Sequence, residues 1–270
     1  MAKEKFGEYT IEKLREGLYA VEDENESSFY VIEGEKMAAV IDTGMGKEPV
    51  LPLIRHITAL PCVLLLTHAH GDHMKYAGSF EMRYICSKDI PIVALSAERM
   101  GMDKSLGELD YTPFDPGSML ELGGGTTLES VAMYGHTPGS LGFYCEKYNV
   151  LFSGDAVGSG MGVWMQVPGA LTVEQYGQNL KKFMDWAESK PADMEFLTGH
   201  RPQRYGFPGM ERDNPVSMAL VGDMIRLCEM LQKGEISGEN HPFAVSFGSE
   251  GAKLASFGRA GIVYLDSRIM

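Results

Sequence analysis

Thr67-His68-Ala69-His70-Gly71-Asp72-His73 gathers three of the chain's seven histidines into seven residues. An H-x-H-x-D-H pattern would arise by accident in roughly 2 of 10,000 chains of this composition, so the spacing carries chemical information. Residues two apart in an extended segment point the same way, which lets His68 and His70 grip one cation as the chain leaves a strand. Gly71 then permits a turn, and Asp72 and His73 project from the start of a helix toward an adjacent position that can take a second cation. Just before the cluster, Cys62-Val63-Leu64-Leu65-Leu66 is an unbroken apolar run of the kind that forms a strand covered on both faces.

Working outward, Val50, Leu51, Ile54, Ile57 and Leu60 form one helical stripe between Pro49 and Pro61. Leu18 to Glu22, Ser28 to Glu33 and Lys36 to Ile41 alternate as a meander, with Gly34-Glu35 as a two-residue hairpin loop. Further strands are expected at Ile92 to Leu95, Thr127 to Met133, Leu141 to Cys145, Val150 to Ser153 and Met194 to Leu197. Thr172 and Gln175 make a capping box ahead of the stripe Val173, Tyr176, Leu180, Phe183, Met184 and Ala187, and another helix opens at Asn214-Pro215 and closes at Lys233-Gly234. A meander followed by alternating strands and helices predicts an α/β architecture with sheets inside and helices outside.

Three of the expected strands end in glycine followed by a potential metal ligand: Gly135-His136, Gly154-Asp155 and Gly199-His200. Glycine allows the sharp turn and close backbone approach that a side chain at a strand end needs to face a crevice. One sheet edge could thus collect His68, His70, Asp72, His73, His136, Asp155 and His200. Five imidazoles and two carboxylates suit two divalent transition ions, zinc first and iron or manganese as alternatives, better than calcium.

These motifs, with Ile41-Asp42-Thr43-Gly44 upstream, resemble the metallo-β-lactamase superfamily over roughly residues 17 to 201. The resemblance implies a four-layer αββα sandwich and a dinuclear site, with His68, His70 and His136 on one metal, Asp72, His73 and His200 on the other, and Asp155 bridging. Residues 1–204 would be the catalytic core. Residues 205–270 would complete the same domain as a helix and strands, covering the pocket or building a homodimer contact. The pattern is nearest to glyoxalase II-like and lactonase-like hydrolases. Secreted lactamases differ at the position of Asp155, and flavodiiron proteins differ at that of His70.

The chain has 270 residues, 24 Lys+Arg against 37 Asp+Glu and a formal charge of −13, which argues against nucleic acid as the main partner and toward a small-molecule substrate. No stretch reads as a membrane span, and the charged N-terminus lacks the apolar core of an export signal, so the expected compartment is the cytoplasm. Four widely spaced cysteines read as reduced, buried thiols. Met161, Val163, Trp164 and Met165 could wall a substrate pocket or belong to a core or subunit contact. Arg201 and Arg204 are either exposed charges at a helix entry or groups for a substrate carboxylate or phosphate, with Tyr205 and Phe207 beside them. His56 and His241 lack a spacing partner and read as structural.

The leading expectation is hydrolysis of a small ester, thioester or lactone by a metal-activated water that Asp72 orients, since no G-x-S-x-G elbow lies near the histidines. The alternatives are a mononuclear iron oxygenase resembling persulfide dioxygenases, a phosphodiesterase, and a ligand sensor without turnover.

Overall fold

A computed structural model describes residues 3–158, 162–205, 216–241 and 250–270. The chain forms two compact units, one of Met1–Val131 with Phe143–Tyr148 and one of Ala132–Gly142 with Asn149–Met270.

The first unit is built on an eight-stranded sheet in chain order: β1 (Lys3–Phe6), β2 (Tyr9–Arg15), β3 (Leu18–Glu22), β4 (Ser28–Glu33), β5 (Ala38–Ile41), β6 (Cys62–Leu65), β7 (Arg83–Ile85) and β8 (Thr112–Pro113). The first five strands pair antiparallel, and β5 to β8 pair parallel, so β5, β6 and β7 send their carboxyl ends to the same edge. Helix α1 (Val50–Ile57) makes the β5 to β6 crossover, and α2 (Gly71–Met74) and α3 (Val93–Arg99) flank β7 in the chain. The core gathers Phe29, Val31 and Val40 from the meander, Leu53 and Ile54 from α1, and Leu64 and Leu66 around β6. The hairpin of β9 (Met119–Gly123) and β10 (Thr126–Ala132) follows.

Several expectations change. The strand expected at Ile92 to Leu95 is helical: Val93, Ser96 and Ala97 are buried at helical spacing while Leu95 points outward, so the β-branched run misled. Helix α1 buries Leu53 and exposes Leu51, and it ends at Ile57, leaving Leu60 outside. The β4 to β5 loop has four residues, not two, because the Leu122 carbonyl takes the N–H groups of Lys36 and Met37 out of the strand ladder. The N-terminal hairpin β1–β2 was not anticipated, although Tyr9 and Ile11 alternate with Thr10 and Glu12.

In the second unit β12 (Val150–Gly154) and β14 (Glu195–Thr198) pair parallel, after β11 (Leu141–Cys145), which spans the boundary in sequence. A second sheet has the order β13 (Val163–Trp164), β17 (Ala260–Tyr264), β16 (Lys253–Phe257), β15 (Glu239–Asn240). Helix α4 (Val173–Ala187) opens with both halves of the expected capping box, Thr172 with Gln175. Helix α5 (Arg201–Tyr205) is short, and α6 (Met218–Gln232) packs along α4 and on β16 and β17. The expected start of α6 at Asn214-Pro215 lies outside the described residues, and the helix begins after Ser217. All four cysteines are free thiols; three are buried and Cys62 is half-buried. Among the described residues no helix is long and apolar enough to cross a membrane.

Candidate metal centre

In the first unit the histidine-rich turn is anchored where parallel strands end. Asp42 follows β5 in a left-handed backbone conformation, φ 63°, and is buried. Its Oδ1 accepts the Thr67 N–H at 2.8 Å, and its Oδ2 accepts the Thr67 hydroxyl at 2.7 Å. The same Oδ2 lies 2.9 Å from His73 Nδ1, which must donate to it. The single Thr67 hydroxyl proton is committed to Asp42, so Thr67 Oγ1 accepts from His68 Nδ1 at 3.0 Å. Both rings therefore carry their proton on Nδ1 and keep the Nε2 lone pair for a metal. Thr43 donates twice to the His73 carbonyl, from N at 2.8 Å and from Oγ1 at 3.1 Å. Asp89, past the end of β7 and fully buried, accepts the Ala69 N–H at 2.9 Å and fixes the residue between His68 and His70. One ring nitrogen of His68 and one of His70 lie within 4.8 Å of each other. Asp72 stands in the first turn of α2, its Oδ2 3.7 Å from His73 Nε2.

In the second unit His136 follows β10 and donates from Nδ1 to the Trp164 carbonyl at 2.8 Å, so its lone pair is on Nε2 as well. Gly135 is required here: a Cβ on it would stand 2.1 Å from Tyr176 Cδ2. The Tyr176 hydroxyl donates to the Ala156 carbonyl at 2.6 Å, and burial pushes this phenol well above its ordinary value, so it stays a donor. Strand β12 ends at Gly154, φ 49°, whose carbonyl accepts the Gly199 N–H at 2.8 Å and ties the ends of β12 and β14 together. Asp155 Oδ2 then lies 3.7 Å from His136 Nε2 and 3.3 Å from His200 Nε2. Its Oδ1 accepts from Gln203 Nε2 at 3.0 Å.

All seven expected ligand residues are thus placed within their own unit, four in the first and three in the second. Neutral imidazoles presenting Nε2, with carboxylates beside them, are a donor set that fits divalent transition ions. Of the expected pocket residues, Met161 and Phe207 lie outside the described residues, Tyr205 closes α5, and Arg201 is half-buried. Met165 is buried and gives its N–H to Val263, and Trp164 contributes its carbonyl to His136. Arg204 corrects the expectation of an exposed charge, for it is buried. Sequence reasoning missed Thr67, Asp89 and Gln203; only Gln203 carried a signal, its position three residues after His200 repeating the spacing of Thr172 and Gln175.

A family model described as the metallo-beta-lactamase superfamily matches residues 23–200. The hydroxyacylglutathione hydrolase GloC of Haemophilus influenzae is 32% identical over 141 residues, 47% of this chain and 65% of that protein. Matches to curated relatives cover between 44% and 65% of those proteins' own length. A metallo-beta-lactamase from Erythrobacter litoralis, solved with beta-mercaptoethanol in the active site, shares the fold at a TM-score of 0.60 and 15% identity, over 84% of this chain and 99% of that one. A crystal structure of TTHA1623 in a di-iron-bound form aligns with a TM-score of 0.53 and 26% identity, over 70% of this chain and 94% of that one.

Proposed function

Because the chain belongs to the metallo-beta-lactamase superfamily, we propose that it is a metal-dependent hydrolase of a small carbonyl substrate, an ester, thioester or lactone, working with two divalent transition ions. His68, His70 and His136 would hold one ion, Asp72, His73 and His200 the other, and Asp155 both. The observation that carries the two-ion reading is the placement of Asp155: one carboxylate oxygen faces His136 and His200 while the other is held away by Gln203. A carboxylate presented by a single oxygen between two imidazoles suits a ligand shared by two ions better than one of a single three-residue site. Zinc suits the donor set, and the likeness to a protein solved in a di-iron form adds iron to the metals to be tried first.

Ions bound there would supply activation of a water near neutral pH and polarisation of the scissile carbonyl. The protein's own contribution is orientation. Asp42, Thr67 and the Trp164 carbonyl hold three imidazoles by Nδ1, and Asp89 holds the backbone between two of the histidines. Asp72, partly exposed in the first turn of α2, can accept a hydrogen bond from the attacking water and align its lone pair. The excess of acidic residues over basic ones disfavours polyanionic substrates, and the relative named for hydroxyacylglutathione hydrolysis puts acyl thioesters first among the candidates.

The test is elemental analysis of protein purified without chelator, followed by assay of zinc-, manganese- and iron-loaded samples on acyl thioesters, lactones, aryl esters and phosphodiesters. Two ions per chain and turnover of a carbonyl substrate are expected. Phosphodiesters turned over faster than every carbonyl substrate, one iron per chain with oxygen uptake, or tight binding without turnover would each overturn it, in favour of a phosphodiesterase, an oxygenase and a sensor respectively.

A further inference from the structure

We infer that Gln203 is a positioning residue for the metal centre, selecting which oxygen of Asp155 is offered to the metals; the inference rests on the metallo-hydrolase reading above. The side chain is buried, and its amide is engaged at both ends. Oε1 accepts the backbone N–H of His200 at 3.2 Å, and Nε2 donates to Asp155 Oδ1 at 3.0 Å. Neither contact can be reversed. A backbone N–H only donates and a carboxylate oxygen only accepts, so the amide has one satisfied orientation. The Gln203 N–H in turn donates to the His200 carbonyl at 3.2 Å, which fixes the start of α5 around the same pair. One planar group therefore couples the placement of His200 to the rotation of Asp155, a residue 48 positions earlier in the chain.

The consequence is chemical. With Oδ1 held by an N–H donor, Asp155 presents Oδ2 alone, at 3.7 Å from His136 Nε2 and 3.3 Å from His200 Nε2. Without that donor the carboxylate can rotate and offer both oxygens to one ion, which deprives the other of a ligand. Partners that orient metal ligands in this way typically contribute about 10 to 100-fold in metal affinity.

Two substitutions separate this role from simple support of α5. Gln203→Met removes both contacts. Gln203→Glu keeps an oxygen for the His200 N–H but sets a second carboxylate oxygen where Asp155 needs a donor. Metal-stripped wild type and both variants are titrated with cobalt(II) against a chromophoric chelator, with visible absorption recorded and metal-free thermal unfolding measured alongside. The wild type should take two equivalents. Both variants should bind the first ion within about twofold of wild type and the second roughly 10 to 100-fold more weakly, with an altered cobalt spectrum, and this unequal loss should exceed what any lowering of the metal-free unfolding temperature accounts for. Variants that bind both ions as wild type does, with an unchanged spectrum, overturn the role of Gln203 and leave the metal reading standing. So does an equal loss at both ions that tracks a lowered unfolding temperature. A wild type that takes up no transition ion overturns the underlying reading, and the inference with it.

Discussion

Replacing Asp42 with asparagine should switch the protonated nitrogen of two histidines without removing an atom from the site. Asn tolerates the left-handed backbone at position 42, so the turn after β5 is not disturbed. The Thr67 N–H that now meets Oδ1 can only donate, so the amide oxygen must take that place and the NH2 group the place of Oδ2. There it faces His73 Nδ1 and Thr67 Oγ1, and both must accept. His73 then carries its proton on Nε2. The Thr67 hydroxyl, released from Asp42, donates to His68 Nδ1 and moves that proton to Nε2 as well. Each displaced partner is worth about 10 to 100-fold in metal affinity, or about 1.4 to 2.7 kcal/mol, so the pair should lower affinity by at least about 100-fold. Folding should suffer less, because the Thr67 N–H bond keeps its direction and the other three contacts are re-formed in reverse; the expected loss is at most about 1.5 kcal/mol. Imidazole nitrogen shifts by NMR on the metal-free protein report the tautomers, and chelator competition reports affinity. Unchanged tautomers with unchanged affinity would refute the reasoning, as would a loss of stability larger than the loss of metal binding.

Gly135→Ala should destabilise the protein by about 1 to 3 kcal/mol in denaturant titration, since its Cβ would lie 2.1 Å from a Tyr176 ring that α4 holds in place; an unchanged midpoint contradicts the packing argument. Burial pushes the Cys228 thiol up to about 12 from an ordinary value of 9.0. Its raised value contributes stability that is fully present below about pH 9 and lost as pH rises toward 12, so Cys228→Ala should flatten the alkaline decline seen in unfolding curves taken from pH 8 to 11. Asp72→Ala, at verified metal occupancy, should lower kcat far more than it raises KM, and the opposite split would assign Asp72 to substrate binding.

What was legible in the sequence is what is local in it. The H-x-H-x-D-H turn, the unbroken apolar run of β6 and the capping box of α4 each lie within a few residues, and each takes the form its spacing dictates. The misread elements turned on partners that spacing does not reveal. Ile92-Val93-Ala94-Leu95 has strand composition, yet burial of Val93, Ser96 and Ala97 on one face makes the segment helical. The two-residue hairpin loop failed because β9, more than 80 residues later, supplies the acceptor for its N–H groups. The groups that orient the candidate ligands were hidden for the same reason. Asp89 bonds to Ala69 across 20 residues, Trp164 to His136 across 28 and Gln203 to Asp155 across 48. Polar residues of these kinds are common on surfaces, and only the fold separates the ones that hold a ligand from the ones that meet water.

The family match stops at residue 200, yet what orients the second unit's ligands lies partly beyond it. His136 keeps its Nε2 lone pair because Nδ1 is given to the Trp164 carbonyl, and Trp164 sits in β13, a strand of two residues that cannot hold its position alone. β13 pairs in parallel with β17, Trp164 opposite Val263, and the Met165 N–H donates to the Val263 carbonyl at 2.8 Å. β17 in turn pairs along its whole length with β16, and α6 packs on both strands. A chain of backbone contacts thus runs from the C-terminal hairpin through β13 to a single imidazole. Substitutions in β17 that weaken its pairing should therefore lower metal affinity even under conditions where the variant stays folded. The measurement is cobalt titration beside unfolding of Ile262→Gly, whose side chain is buried and whose partner in the register is Val163. Because glycine weakens a strand and the lost side chain leaves a cavity, a stability loss of about 2 to 5 kcal/mol is expected, and affinity should fall at conditions where the variant remains folded. Wild-type affinity in the folded variant would show that His136 is held without the C-terminal sheet.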